Sequence, residues 1–244
     1  MSPDEGEHAT MKVNRSAARI AVVGAVLAAV VVAWSAVSGG ASDTGSGPYR
    51  HGIVVVGDSI TARYDDQADS PQQGWWSFVG RHFDAPVSTF AQSGSGYQRP
   101  GLRCSGNRFV DRPEAFHGPA PSVFIVEGGR NDWASCREGH FVVSTDAAVA
   151  NAVNHYLDVL QRRLPASTRI IVLGPPWGPL DPWQGKRITS IVHTAAIRHG
   201  VEYVSTTGTL DSYERVVDGV HPNRAGSAAI ADRVIEALSK PAAG

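Results

Sequence analysis

The chain has 244 residues, 42% hydrophobic and 18% charged, with a formal net charge of −1. That length accommodates one domain with a sizeable core. So neutral a balance gives no electrostatic case for nucleic acid as a partner, or for strong attraction to anionic membrane surfaces.

Residues 1–19 are polar and carry Lys12, Arg15 and Arg19, and Met11 is a second candidate start beside Met1. From Ile20 to Val37 no residue is charged. A helix of that length reaches about 27 Å, close to the roughly 30 Å hydrocarbon core of a bilayer. The expectation is a hydrophobic helix over residues 20–38, either an uncleaved transmembrane signal anchor or a removed signal peptide. The basic residues before it keep the N-terminus cytoplasmic and send the rest of the chain outside, as a single-pass membrane protein or a secreted one. Residues 39–50 are rich in Gly and Ser and read as a flexible linker, so the folded domain should span 51–240.

The domain opens on Ile53-Val54-Val55-Val56, an apolar β-branched run that reads as a buried strand. Gly57 permits a sharp turn, and Asp58-Ser59 follow where the strand leaves the core. After a polar stretch, residues 74–83 place Trp75 or Trp76, Val79 and Phe83 at helical spacing. Pro86–Phe90 is the second strand and runs into a turn containing Gly94 and Gly96. Residues 97–121 form a long connection whose arginines, Arg99, Arg103, Arg108 and Arg112, read as a solvated face; contact with an anionic substrate is the alternative.

Ser122–Glu127 is the third strand and ends in Gly129-Arg130-Asn131-Asp132. Thr145 or Asp146 caps a helix running to Leu164. Arg169–Leu173 is the fourth strand. Trp177 and Trp183 on the loop after it either line an acyl or sugar pocket or simply pack the loop. A helix over about 186–199, a fifth strand at Val201–Val204 and a final helix over about 224–239 complete the chain, with Asp218-Gly219-Val220-His221 leading into the last helix. Strands alternating with helices imply a three-layer α/β, flavodoxin-like fold with a five-stranded parallel sheet in the order 2-1-3-4-5.

Cys104 and Cys136 are the only cysteines. In an exported domain they would close one disulfide, worth roughly 3 kcal/mol for a loop of about 30 residues; two free thiols are the alternative. The sequence contains no C-x-x-C and no H-E-x-x-H, so nothing suggests a metal site or another cofactor.

Ligands in open α/β sheets bind at the carboxyl ends of the strands. The first strand delivers Ser59 there, the second the Gly94/Gly96 turn and the third Asn131, while Asp218 and His221 precede the last helix. That set supplies a nucleophile (Ser59), a base (His221), a carboxylate to orient the base (Asp218) and oxyanion donors (the Ser59 and Gly94 N–H groups and the Asn131 amide). There is no G-x-S-x-G and no Ser-x-x-Lys to support a rival serine chemistry.

With these blocks in order (Gly57-Asp58-Ser59, the glycine turn, Gly129-Arg130-Asn131-Asp132, and Asp218-Gly219-Val220-His221) the chain resembles the SGNH-hydrolase superfamily, the GDSL esterases and lipases, over about residues 51–240. The resemblance implies Ser59 as nucleophile, His221 as base, Asp218 as its partner, and Gly94 and Asn131 completing the oxyanion hole. The second block departs from the family, because Thr89-Phe90-Ala91-Gln92 stands where an Asn is usual; Gly96 is therefore the fallback for Gly94. The expected activity is hydrolysis of a small-molecule, lipid or glycan ester through an acyl-serine. Acyl lipids, thioesters and O-acetylated glycans are all candidate substrates. A membrane-tethered, non-catalytic binding module is the alternative from another class.

Overall fold

One strand in from the edge of the sheet lies β1 (Ile53–Gly57), parallel to β2 (Val87–Ala91) on one side and to β3 (Val123–Glu127) on the other. The register sets Ile53 between Val87 and Val123. Beyond β3 come β6 (Arg169–Leu173) and β7 (Glu202–Val204), so the five parallel strands run 2-1-3-6-7. This is the expected order once two strands outside the sheet are counted. The computed structural model describes residues 47–62, 74–180 and 183–241. The expected hydrophobic helix over 20–38 and most of the linker lie outside them. Among the described residues no helix is long and apolar enough to cross a membrane.

Side chains alternate across a strand, so each strand feeds both faces of the sheet. Val56, Phe124, Val126 and Val172 meet α3 (Asp146–Arg163) and α4 (Gly185–Arg198) on one face, through Val149, Val153, Leu157, Ile188 and Val192. Ile53, Val55, Ile125 and Leu173 meet α2 (Trp75–Phe83) and α5 (Arg224–Leu238) on the other, through Trp75, Val79, Ile230 and Val234. Burial on both faces is why β1 and β3 read as apolar runs, whereas β2 at the edge is only partly buried and mixes in Ser88 and Thr89. Helix starts follow local rules: the Thr145 side chain accepts the Ala148 N–H and the Asn223 side chain accepts the Gly226 N–H. A four-residue helix, α1 (Ser59–Ala62), follows β1 directly.

Two features differ from expectation. A hairpin of β4 (Ala134–Arg137) and β5 (His140–Val143) follows the third block, turning through Glu138 and Gly139, both at positive φ (50° and 79°). Residues 97–121 are also less solvated than their composition suggests. Tyr97, Phe109 and Ala115 are core, and Arg99 and Arg112 are buried, so only Arg103 and Arg108 occupy the expected exposed face. Cys104 and Cys136 are bridged, with Cα atoms 5.6 Å apart, which ties this connection to the hairpin.

Candidate active site

The first block is shaped by the exit from β1. A methyl group on Gly57 would lie 2.7 Å from Thr61 Cβ, so only glycine lets α1 fold back so tightly. Asp58 caps that turn: its Oδ1 accepts the Ile60 N–H at 2.8 Å. Ser59 is the first residue of α1, so its N–H is outside the helical ladder. Ser59 is 7% exposed, just past the carboxyl end of β1.

The second block is built by a buried arginine. Arg112 Nη1 donates to the carbonyls of Gly57 (2.7 Å) and Phe90 (2.8 Å), while Nη2 donates to Asn107 O and to Ser95 Oγ. One guanidinium thereby joins the ends of β1 and β2 to the loop after β2. Gln92, the last residue of the departing stretch Thr89–Gln92, braces the same turn: Nε2 donates to Pro100 O and Oε1 accepts the Asn107 N–H. Gly94 has φ +75°. Among the described residues its N–H donates no hydrogen bond, whereas the Gly96 N–H is engaged by Arg99 O at 2.9 Å.

The third block reaches across to both. Asn131 Nδ2 donates to Ser95 O at 2.9 Å and to Asp58 Oδ2 at 3.2 Å. Asp132 serves the loop after β2 rather than its own turn, because its carboxylate accepts the N–H groups of Tyr97, Gln98 and Arg99 at 2.9–3.1 Å. Gly96 packs against that carboxylate; a methyl there would come within 2.7 Å of Asp132 Cγ. Burial pushes the Asp132 carboxyl up to about 6, against the lowering effect of its three backbone donors.

The fourth block is a closed loop. Asp218 Oδ2 lies 2.7 Å from His221 Nδ1, and Asp218 Oδ1 accepts the N–H groups of Val220 and His221 at 3.0 and 2.8 Å. Gly219 takes φ +81° so that the chain can double back. Burial alone would raise the Asp218 carboxyl; the His221 backbone and side-chain hydrogen bonds and its positive charge outweigh that and hold it at about 2. The loop joins the rest through the segment after β6. Leu180 N–H donates to Gly219 O at 3.2 Å, and Arg130, beside Asn131, donates to Pro176 O at 3.1 Å.

The two loop tryptophans differ. Trp177 is half-buried, with Nε1 donating to Thr189 Oγ1 at 2.7 Å and the Arg130 guanidinium 5.0 Å from its ring. It borders a groove of about 850 Å³ with Lys186, His193, Tyr203 and Asp211; Ser59, Asp218 and His221 are not among the residues lining it. Trp183 is 85% exposed.

Two site residues were missed in the sequence. Arg112 resembled any loop arginine. Glu127 ends an apolar strand, and its Oε2 accepts the Thr61 hydroxyl (2.8 Å) and the Asp58 N–H (3.4 Å). Burial, then the nearby Asp58 charge, hold the Glu127 carboxyl well above its usual range. A lone acid closing a strand of Val, Phe and Ile was the available signal.

This architecture has relatives. The chain is 26% identical over 196 residues to the GDSL lipase Rv0518 of Mycobacterium tuberculosis, covering 77% of this chain and 81% of that protein. Among solved structures, a family two carbohydrate esterase from Clostridium thermocellum in complex with cellohexaose superposes with a TM-score of 0.60 at 20% identity, over 79% of this chain and 64% of that one. A candidate GDSL-like lipase from Bacteroides uniformis superposes with a TM-score of 0.55 at 17% identity, over 77% and 95%. At those identities the structures speak for the fold alone. The family model for the GDSL-like lipase/acylhydrolase family matches residues 55–229, from within β1 to within α5, and so takes in all four blocks. The chain therefore belongs to the GDSL-like lipase/acylhydrolase family, within the SGNH hydrolases, and is a serine ester hydrolase.

Proposed function

We propose that this protein is an exported esterase that cleaves carboxylic esters by a Ser59 acyl-enzyme route. The observation that carries the assignment is the 2.7 Å contact between Asp218 Oδ2 and His221 Nδ1, which fixes one tautomer and leaves Nε2 as the basic nitrogen. His221 takes the Ser59 hydroxyl proton as Oγ attacks the ester carbonyl. The resulting oxyanion is met by the N–H groups of Ser59 and Gly94 and by the Asn131 amide, one of whose two N–H groups must turn from Ser95 O or Asp58 Oδ2 to reach it. The tetrahedral adduct collapses, the alcohol leaves with the proton from His221, and water repeats the sequence to release the acid. The unengaged Gly94 N–H supports Gly94 over Gly96 as the turn's donor.

Export rests on the uncharged run over residues 20–38, which would hold domain 51–240 on the outer face of the membrane or release it there. Labelling by a fluorophosphonate tests the chemistry: wild type should react and Ser59→Ala should not. A folded wild type that stays unlabelled removes the enzyme reading and favours a binding module.

A second reading, a carbohydrate O-acetylesterase, draws on the likeness to the family two carbohydrate esterases. Release of acetate from acetylated sugars, compared with hydrolysis of longer-chain acyl esters, separates the two.

A further inference from the structure

Two exposed leucines flank the four blocks, and each lies against backbone that the chemistry uses. Leu102, 59% exposed, packs on the turn after β2; a methyl group on Gly94 would sit 2.8 Å from its Cδ2. Leu180, 56% exposed, packs on the loop of Asp218 and His221; a methyl on Gly219 would sit 2.7 Å from its Cγ. Leu102 is anchored two residues from the Cys104–Cys136 bridge. Cys136 pairs across the hairpin with Phe141, itself 44% exposed, with the Arg99 guanidinium 3.9 Å from its ring. Single exposed apolar side chains are ordinary on a protein surface. Gathered on both flanks of one site, they indicate what the site receives.

We propose that Leu102 and Phe141 contact the acyl chain of the ester and Leu180 contacts its alcohol, so the site prefers esters that are apolar on both sides of the bond. The proposal rests on the reading of Ser59 and His221 given above. When Ser59 Oγ adds to the carbonyl carbon, the carbonyl oxygen turns toward its donors and the leaving oxygen faces His221, which must protonate it. The alcohol then lies on the Leu180 side, and the acyl chain, directed away from both the leaving oxygen and the oxyanion, runs out past the turn on which Leu102 packs. Neither leucine lines the groove beside Trp177.

The test is two substrate series: p-nitrophenyl esters from acetyl to decanoyl, and acetate esters from ethyl to octyl. Wild type should gain about two- to fourfold in kcat/KM per methylene over the first carbons of each series, as expected for partly to fully buried methylenes. Leu102→Ser should flatten the acyl series and spare the alcohol series, and Leu180→Ser should do the reverse. Phe141→Ser serves as a second acyl-side variant. Fluorophosphonate labelling is run on the same samples. Labelled protein whose profiles are unchanged by the variants, or are lowered equally in both series, overturns the leucine assignment and leaves the serine chemistry standing. Unlabelled, folded wild type overturns both.

Discussion

Asp58 and Asn131 meet at 3.2 Å, carboxylate oxygen to amide nitrogen, while the other Asp58 oxygen accepts the Ile60 N–H at 2.8 Å. One side chain thus holds the start of the helix bearing Ser59 and also aims the amide that would face an oxyanion. Its buried carboxyl is pushed up to about 6 by burial, against the lowering effect of the Ile60 N–H and Arg130.

Asp58→Asn should therefore slow the chemical step more than it weakens substrate binding. The new amide presents N–H where Asn131 needs an acceptor, so kcat should fall on the order of 10–100-fold with KM nearly unchanged. Asn131→Ala removes the donor outright and should cost about 10²–10³ in kcat. Steady-state kinetics on both variants decide the matter. Wild-type kcat in Asp58→Asn would show that Asn131 is aimed by Ser95 O alone.

For the fourth block, Asp218→Asn should separate catalysis from stability. The Asp218 side chain is 41% exposed, so its loss leaves no buried charge behind. What is lost is the carboxylate that fixes the His221 tautomer, a change worth roughly 10³–10⁴ in kcat. The thermal midpoint should move by only a few degrees. A variant that keeps its activity would put the orienting group elsewhere.

The pH dependence of stability should have two opposing limbs. Asp132 has a folded value of about 6, above its ordinary 3.8, so its protonated form favours the fold. That contribution is full below about 4 and is lost as pH rises through 6, at roughly 2–3 kcal/mol for so buried a group. Asp218, held at about 2, contributes in the other sense: its stabilisation is present above 3.8 and lost as pH falls toward 2. Thermal melts should therefore show the protein more stable near pH 4 than near pH 7. Asp132→Asn should flatten the decline between those values. An identical slope in wild type and variant would mean that Asp132 ionises normally.

Much of this was legible in the sequence because the strands are buried on both faces. Runs such as Ile53–Val56 and Ser122–Glu127 could be little else, and the helix cap at Thr145 obeys local rules. The residues of the four blocks were legible as residue types at strand ends. The β4–β5 hairpin was not, because Glu138-Gly139 lacks the Asn-Gly or Asp-Gly signature, although both positions adopt positive φ. Arg112 was unreadable for a different reason. A guanidinium that collects four oxygen acceptors from distant segments has the same local sequence as one facing water, and only the tertiary fold distinguishes them. Asp132 likewise acts some 33–35 residues away along the chain, on Tyr97, Gln98 and Arg99, so nothing adjacent to it announces that role.

The disulfide should matter to activity as well as to stability. It closes a separation of 32 residues, worth about 3–4 kcal/mol in the chain-entropy model, so Cys104→Ala with Cys136→Ala should lower the thermal midpoint by roughly 6–16 °C. The bridge also fixes the turn at Leu102–Cys104, where Arg103 and Cys104 both hold positive φ (52° and 57°), a conformation the backbone does not favour unaided. Freed from the hairpin, that turn can relax and carry Leu102 off Gly94. KM for medium-chain acyl esters should then rise more than kcat falls, and acetyl esters should be affected least. Assays of the double variant well below its melting midpoint separate this effect from unfolding. A chain-length profile identical to wild type would mean that the hairpin is placed without the bridge, by the Ser144 N–H to Trp133 O bond and the Gln98 contact with Asp132 O.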